Sequence, residues 1–197
     1  MDHHTRSTLN YFTTRALNRL EERRADEAWI EDRLHDSATR FIPVWRDRVL
    51  LKKETATPIT LTLAEAQPLI QTAASVSMLG LQHNTLYFGL GLAESDEPPA
   101  QLTKSGQFQN LRRAAALLRE ADCALLTYAK GMAYWHHHHR FCSTCGSPTT
   151  SAHGGSMRVC SNPECLAQHF PLIKPAIIVL VTSGERCLLG RKPEWPT

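Results

Sequence analysis

Cys142-Ser-Thr-Cys145-Gly146 and, after fourteen intervening residues, Cys160-Ser-Asn-Pro-Glu-Cys165 are the stretches on which this chain turns. Two closely spaced cysteine pairs separated by a short segment form the spacing of a zinc ribbon. Each pair occupies a tight turn that aims two sulfurs at one point, and Gly146 permits the backbone such a turn needs. Gly154-Gly155 is expected to bend the chain between the halves as a hairpin. Four thiolates would close a tetrahedral site about 2.3 Å from Zn²⁺ and leave no open position for a substrate. The metal would then be structural, standing in for a core that so short a segment cannot build. An iron–sulfur centre and a pair of disulfides are the other uses of such a pattern.

The two remaining cysteines, Cys123 and Cys187, have no sequence partner and read as buried, inert thiols. His136 to His139 stand just before the first pair. With four cysteines already present they read as helix-end histidines facing water or the helix dipole, not as ligands. His153 and His169 read likewise as non-ligands.

Upstream of the ribbon the pattern is that of an α+β domain covering 1–135. Arg15 to His35 reads as one amphipathic helix with a solvated Glu/Arg face. Phe41-Ile-Pro-Val-Trp45 and Val49-Leu50-Leu51 read as strands around a polar turn at Arg46-Asp47-Arg48. Thr60 to Ala74 reads as a helix entered through Thr62, with Glu65 completing a capping box and Pro68 weakening the pattern. Met78–Leu81 and Thr85–Leu92 read as strands, and Ala93 to Pro99 as a loop. Helical pattern returns at Leu111 to Glu120 and again at Ala121 to Trp135. There Leu125, Tyr128, Ala129, Met132 and Trp135 recur at spacings of three and four. Downstream, Pro175 to Val181 reads as a buried strand, and Arg186 to Gly190 as its hairpin partner across Thr182–Glu185.

The composition excludes some classes of protein. With 42% apolar and 21% charged residues in 197, the chain is neither disordered nor fibrous. No run reaches the ~18 apolar residues of a membrane span. MDHHTRSTLN carries no apolar signal segment, so a cytoplasmic location without membrane attachment is expected. The net charge is +3, with the excess concentrated in residues 130–197. Such an excess suits a phosphate-bearing ligand but makes no dense nucleic-acid patch.

Several motifs together carry a resemblance. Trp135-His136, Arg140-Phe141-Cys142, Cys145-Gly146, Gly154-Gly155, Arg158-Val159-Cys160, His169-Phe170-Pro171 and Cys187-Leu-Leu-Gly-Arg191 resemble the NADH pyrophosphatase branch of the Nudix hydrolases. The four-residue gap in Cys160–Cys165 is closer to the variant of eukaryotic members. Phe41-Ile-Pro-Val-Trp45 and Asn110-Leu-Arg112 fit the family's N-terminal Nudix-like domain.

The resemblance implies an N-terminal Nudix-like α/β domain (1–135), a zinc ribbon (136–170) and the first strands of a catalytic Nudix domain (171–197). It implies cleavage of NAD(H) to nicotinamide mononucleotide and AMP, removal of the NAD cap from RNA in some members, and a homodimer. It makes Cys142, Cys145, Cys160 and Cys165 the zinc ligands. Phe170 becomes a contact to the nucleotide base, and Arg112 a substrate-contacting arginine.

Two departures are visible. Pro171-Leu-Ile-Lys174-Pro175 replaces the commoner Pro-Arg-Thr-Asp-Pro, and no segment matches the Nudix box G-x5-E-x7-R-E-U-x-E-E-x-G-U, with U apolar. Arg19-Leu-Glu-Glu22 echoes it without its glycine or spacing. The glutamates of that box hold Mg²⁺ or Mn²⁺. The expectation is a chain cut before the box, itself inactive and without catalytic residues. A non-catalytic ribbon module that binds nucleotide, RNA or a partner protein is the competing expectation.

Overall fold

The structure is a computed structural model that describes residues 12, 17–93, 95–172, 179–191 and 193–194. Five strands form the central sheet: β1 (Arg40–Trp45), β2 (Arg48–Leu51), β3 (Ser75–Gln82), β4 (Thr85–Gly91) and β5 (Gln107–Gln109). Their order is β3-β4-β1-β2-β5, with β4 and β1 parallel and the other neighbours antiparallel. Residues 41–45 of β1 are buried without alternation because helices cover both faces of the sheet.

On one face Ile42, Val44, Val49 and Leu51 pack with Leu125, Leu126, Ala129 and Met132 of the long helix α5 (Glu120–His138). On the other, Phe41, Trp45, Leu50 and Phe88 pack with residues of three shorter helices. These are α1 (Glu27–Leu34), α2 (Leu63–Ile70) and α3 (Ala100–Ser105), and a further short helix, α4 (Leu111–Ala114), precedes α5.

The β1–β2 turn places Arg46 and Asp47 at φ 43° and 63°, the mirror-image geometry that suits the twist of a two-residue hairpin. Lys130 of α5 pins this turn with Nζ 3.0 Å from Asp47 Oδ2. Helix α2 starts as its sequence predicts: the backbone N–H of Thr62 donates to Glu65 Oε2 at 2.8 Å. Pro68 is accommodated inside this helix.

The single helix expected over Arg15–His35 does not form. Residues 13–16 lie outside the described residues, Leu20 is left-handed at φ 53°, and Glu21–Arg23 is a 3₁₀ turn. Helix α1 begins only at Glu27, where Asp26 caps it by accepting from the Trp29 N–H at 3.0 Å. A bulge in β3 accounts for the break. The register skips Leu79 between Met78 and Gly80, which leaves carbonyls without ladder partners. The buried Arg24 guanidinium donates to the Met78 and Leu79 oxygens at 3.0 and 3.2 Å. The incoming chain pairs Asn18 with Leu81. A continuous helix would satisfy neither need.

Other expectations also change. The helix at Leu111 lasts one turn and passes through a 3₁₀ turn, Ala115–Leu117, before α5. Helix α3 and strand β5 had no clear periodic signal. The buried strand expected at Pro175–Val181 lies outside the described residues up to 178, and Val179–Val181 are exposed, with the Val181 oxygen accepting from the Leu188 N–H at 2.9 Å. Two-residue strands β9 (Thr182–Ser183) and β10 (Arg186–Cys187) form a small hairpin, and Cys187 is exposed, not buried. Cys123 is buried as expected.

Candidate metal centre and nucleotide-contact site

The ribbon is a three-stranded sheet of β6 (Thr149–Ala152), β7 (Met157–Cys160) and β8 (Gln168–His169), in sequence order and antiparallel. Two turns project from it. In the first, the Cys142 N–H donates to the Ser147 oxygen at 2.7 Å and the Gly146 N–H to the Cys142 oxygen at 2.9 Å, with Gly146 at φ 76°. In the second, Asn162 Oδ1 accepts from the Glu164 N–H, and the Cys165 and Leu166 N–H groups donate back to the Asn162 oxygen. These bonds fold the longer Cys160–Cys165 gap into a turn equivalent to the first.

The four sulfurs converge. All lie within 4.8 Å of one another, with Cys142–Cys165 at 3.8 Å and Cys145–Cys160 at 3.4 Å. A regular tetrahedron with metal–sulfur bonds of about 2.3 Å has edges of about 3.8 Å. The separations are far from the ~2.05 Å of a disulfide, and all four thiols are free. The donor set fits zinc, and Cys142, Cys145, Cys160 and Cys165 would hold it. The metal would supply folding free energy, since a closed four-sulfur site offers no reactive position.

The electrostatics of the cluster call for a cation. At Cys142 desolvation resists ionisation. The N–H groups of Cys145 and Thr144, together with His169 and the Cys145 thiol, outweigh it and lower the thiol to about 5. Desolvation and the three neighbouring thiols instead push Cys160 up to about 12, against the Asn162 N–H. Four thiolates cannot coexist so closely without a positive charge to neutralise them.

The ribbon sits against the β3 edge of the sheet, and His136 joins the two. Its side chain is 2% exposed at the end of α5, contrary to the expected water-facing position. Arg158 of β7, itself 8% exposed, places Nη1 2.8 Å from His136 Nδ1, while Nε and Nη2 donate to Oγ1 and O of Thr149. A guanidinium only donates, so Nδ1 accepts and the proton resides on Nε2. That proton is donated to the Gly155 oxygen at 2.9 Å. Glu27 Oε1 accepts from the His153 N–H at 2.9 Å on the same seam. Sequence reasoning missed His136 and Arg158 because a histidine run and a lone arginine carry no sign of burial.

The two expected substrate contacts lie on different elements. Phe170 follows β8 and is 53% exposed. Arg112 is an exposed residue of α4, directly after β5. The ribbon rests on β3 and Arg112 follows β5, the two outer strands of the sheet, which lie about 19 Å apart at ~4.8 Å per strand spacing.

Comparison with known proteins agrees with this architecture. Residues 38–135 match the family described as the NADH pyrophosphatase-like rudimentary NUDIX domain, and residues 137–170 match the NADH pyrophosphatase zinc ribbon domain. The chain belongs to the NADH pyrophosphatase branch of the Nudix family. His136 is the one residue between the two matched segments, at the hinge the hydrogen bonds define.

Part of the chain is similar to curated proteins. The mouse mitochondrial NAD(P)H pyrophosphatase NUDT13 is 38% identical over 114 residues, which cover 54% of this chain and 32% of the relative. The NAD-capped RNA hydrolase NudC of Stutzerimonas stutzeri is 44% identical over 89 residues, covering 45% and 32%. The NAD-capped RNA hydrolase NUDT12 of Macaca fascicularis is 33% identical over 87 residues, covering 40% and 19%. The chain therefore spans about a third or less of the length of these relatives. Among the described residues no helix is long and apolar enough to cross a membrane.

Proposed function

We propose that this chain is the N-terminal and zinc-ribbon portion of an NAD(H) pyrophosphatase that hydrolyses NAD(H) to nicotinamide mononucleotide and AMP, with NAD-capped RNA as a further substrate. The observation that carries this reading is the convergence of four sulfurs within 4.8 Å on a ribbon clasped to a Nudix-like domain. The relatives' names, pyrophosphatase and NAD-capped RNA hydrolase, support it.

The parts are a Nudix-like domain at 1–135, a ribbon at 136–170 holding structural zinc, and the start of a catalytic domain at 171–197. Phe170 offers its exposed ring to the nucleotide base and Arg112 contacts substrate. The complete protein is a homodimer. The complete enzyme works in the cytoplasm and uses Mg²⁺ or Mn²⁺, held by a carboxylate cluster that residues 1–197 do not contain.

The test is AMP release from NADH. The zinc-loaded 197-residue chain is expected to show no turnover with either metal, and the protein extended by a Nudix box to turn over steadily. Turnover by the 197 residues after removal of contaminating enzymes would overturn the assignment of parts. An extended protein that leaves NADH intact would favour the binding-module reading.

A further inference from the structure

His169 has a partner that neither its family match nor its sequence assigns. In the β7–β8 ladder it is paired with Arg158, and Gln168 with Val159. Directly paired residues share a face, and successive residues alternate. Arg158 is buried, so His169 turns inward beside it, while Gln168 turns to solvent. Facing the sulfur cluster, His169 brings Nε2 to 3.3 Å from Cys142 Sγ. A metal-bound thiolate only accepts, so Nε2 must carry the proton. The Thr144 N–H reaches the same sulfur at 3.4 Å. Cys142 is thus held by the backbone N–H groups of Cys145 and Thr144 and by one side chain from the strand that leads to Phe170.

Strand β8 is two residues long and, among the described residues, has only β7 as a strand neighbour, so little else fixes it. With His169 drawn in, alternation sends Phe170 out, and Pro171 keeps that residue extended. We propose that His169 is a positioning residue that ties β8 to the metal-loaded centre through Nε2–H···Sγ of Cys142 and so aims the Phe170 ring at the base of a dinucleotide. The second half of this inference rests on the reading of Phe170 given above; the first does not.

The test uses the zinc- or cobalt-loaded chain with His169→Leu, which lacks a donor, and His169→Gln, which keeps one. A hydrogen bond to a thiolate stabilises its lone pairs. Its loss in H169L is therefore expected to move the sulfur-to-cobalt charge-transfer band to lower energy and to speed zinc release to a chromophoric chelator about tenfold. H169Q is expected to stay near wild type in both. NADH binding, followed by its own fluorescence, is expected to weaken in H169L to the extent seen in Phe170→Ala, while F170A leaves the cobalt spectrum unchanged.

A cobalt spectrum and zinc release rate in H169L equal to wild type would overturn the proposal. So would weakened NADH binding in F170A with full binding in H169L. If F170A binds NADH as tightly as wild type, the Phe170 reading fails by itself, and the cobalt band still decides whether His169 holds Cys142. If H169Q and H169L lose zinc equally, the side chain acts by shape and not by its proton, which also overturns it.

Discussion

The imidazole of His136 stands between a buried guanidinium and a carbonyl, accepting from Arg158 at Nδ1 and donating to Gly155 O from Nε2, at 2.8 and 2.9 Å. One neutral ring thereby links the last turn of α5 to both the bend and the middle strand of the ribbon. Protonation would place a second cation against Arg158 and remove the acceptor. Desolvation accordingly lowers the ring to about 4, with Gly155 O opposing and Arg158 and His139 assisting.

Acid should therefore weaken the fold. The folded value lies below the unfolded one of ~6.5, so the unfolded chain binds more protons between pH 6.5 and 4. The stability contributed by neutral His136 is complete above pH 6.5 and falls as pH drops toward 4, by on the order of 3 kcal/mol. Denaturant titrations of the zinc-loaded chain across that range measure it. His136→Leu should be less stable at pH 7, because Arg158 Nη1 loses its acceptor, and should lose this part of the pH dependence. An unchanged slope in that variant would refute the linkage.

One zinc per chain is expected by elemental analysis. Cys145→Ser should release the metal and loosen the ribbon while the five-stranded sheet remains, which hydrogen exchange would resolve by segment. Because Cys160 holds its proton up to about 12 in the clustered thiols, metal uptake must expel protons. Zinc affinity should thus rise with pH, and buffer-dependent titration calorimetry should record proton release. Zinc-free protein after purification without chelators would contradict this.

Phe170→Ala in the complete enzyme should raise KM for NADH, with a loss of roughly 1–3 kcal/mol in binding as for a base stacked on an aromatic ring. Zinc content and melting temperature should stay near wild type, since the ring is more than half exposed. A drop in melting temperature with KM unchanged would make the ring a packing residue instead.

Gly155 tests the seam from its backbone side. It sits at φ 85°, and a Cβ there would come within 2.8 Å of the Ser77 Cα. Gly155→Ala should destabilise the ribbon's docking by roughly 1–3 kcal/mol, from left-handed strain and the clash together. Comparing melting curves with those of Gly146→Ala, where a Cβ would meet nothing within 4 Å, separates strain from contact. Equal losses in the two would deny the clash.

The metal centre was legible in the sequence because its geometry is local. Cys142, Cys145, Cys160 and Cys165 announce it by spacing, and the hydrogen bonds that shape each turn run between near neighbours. Strands β1 to β4, the capped start of α2 and the apolar stripe of α5 were equally legible, since periodicity and turn chemistry are properties of adjacent residues. The interruption before α1 was not, for it answers a bulge some 55 residues away whose carbonyls need Arg24. Nor was the burial of His136 and Arg158, or the aim of His169 at Cys142. Those are decided where one layer meets another, and a polar side chain carries no mark in sequence of which distant partner will take it out of water.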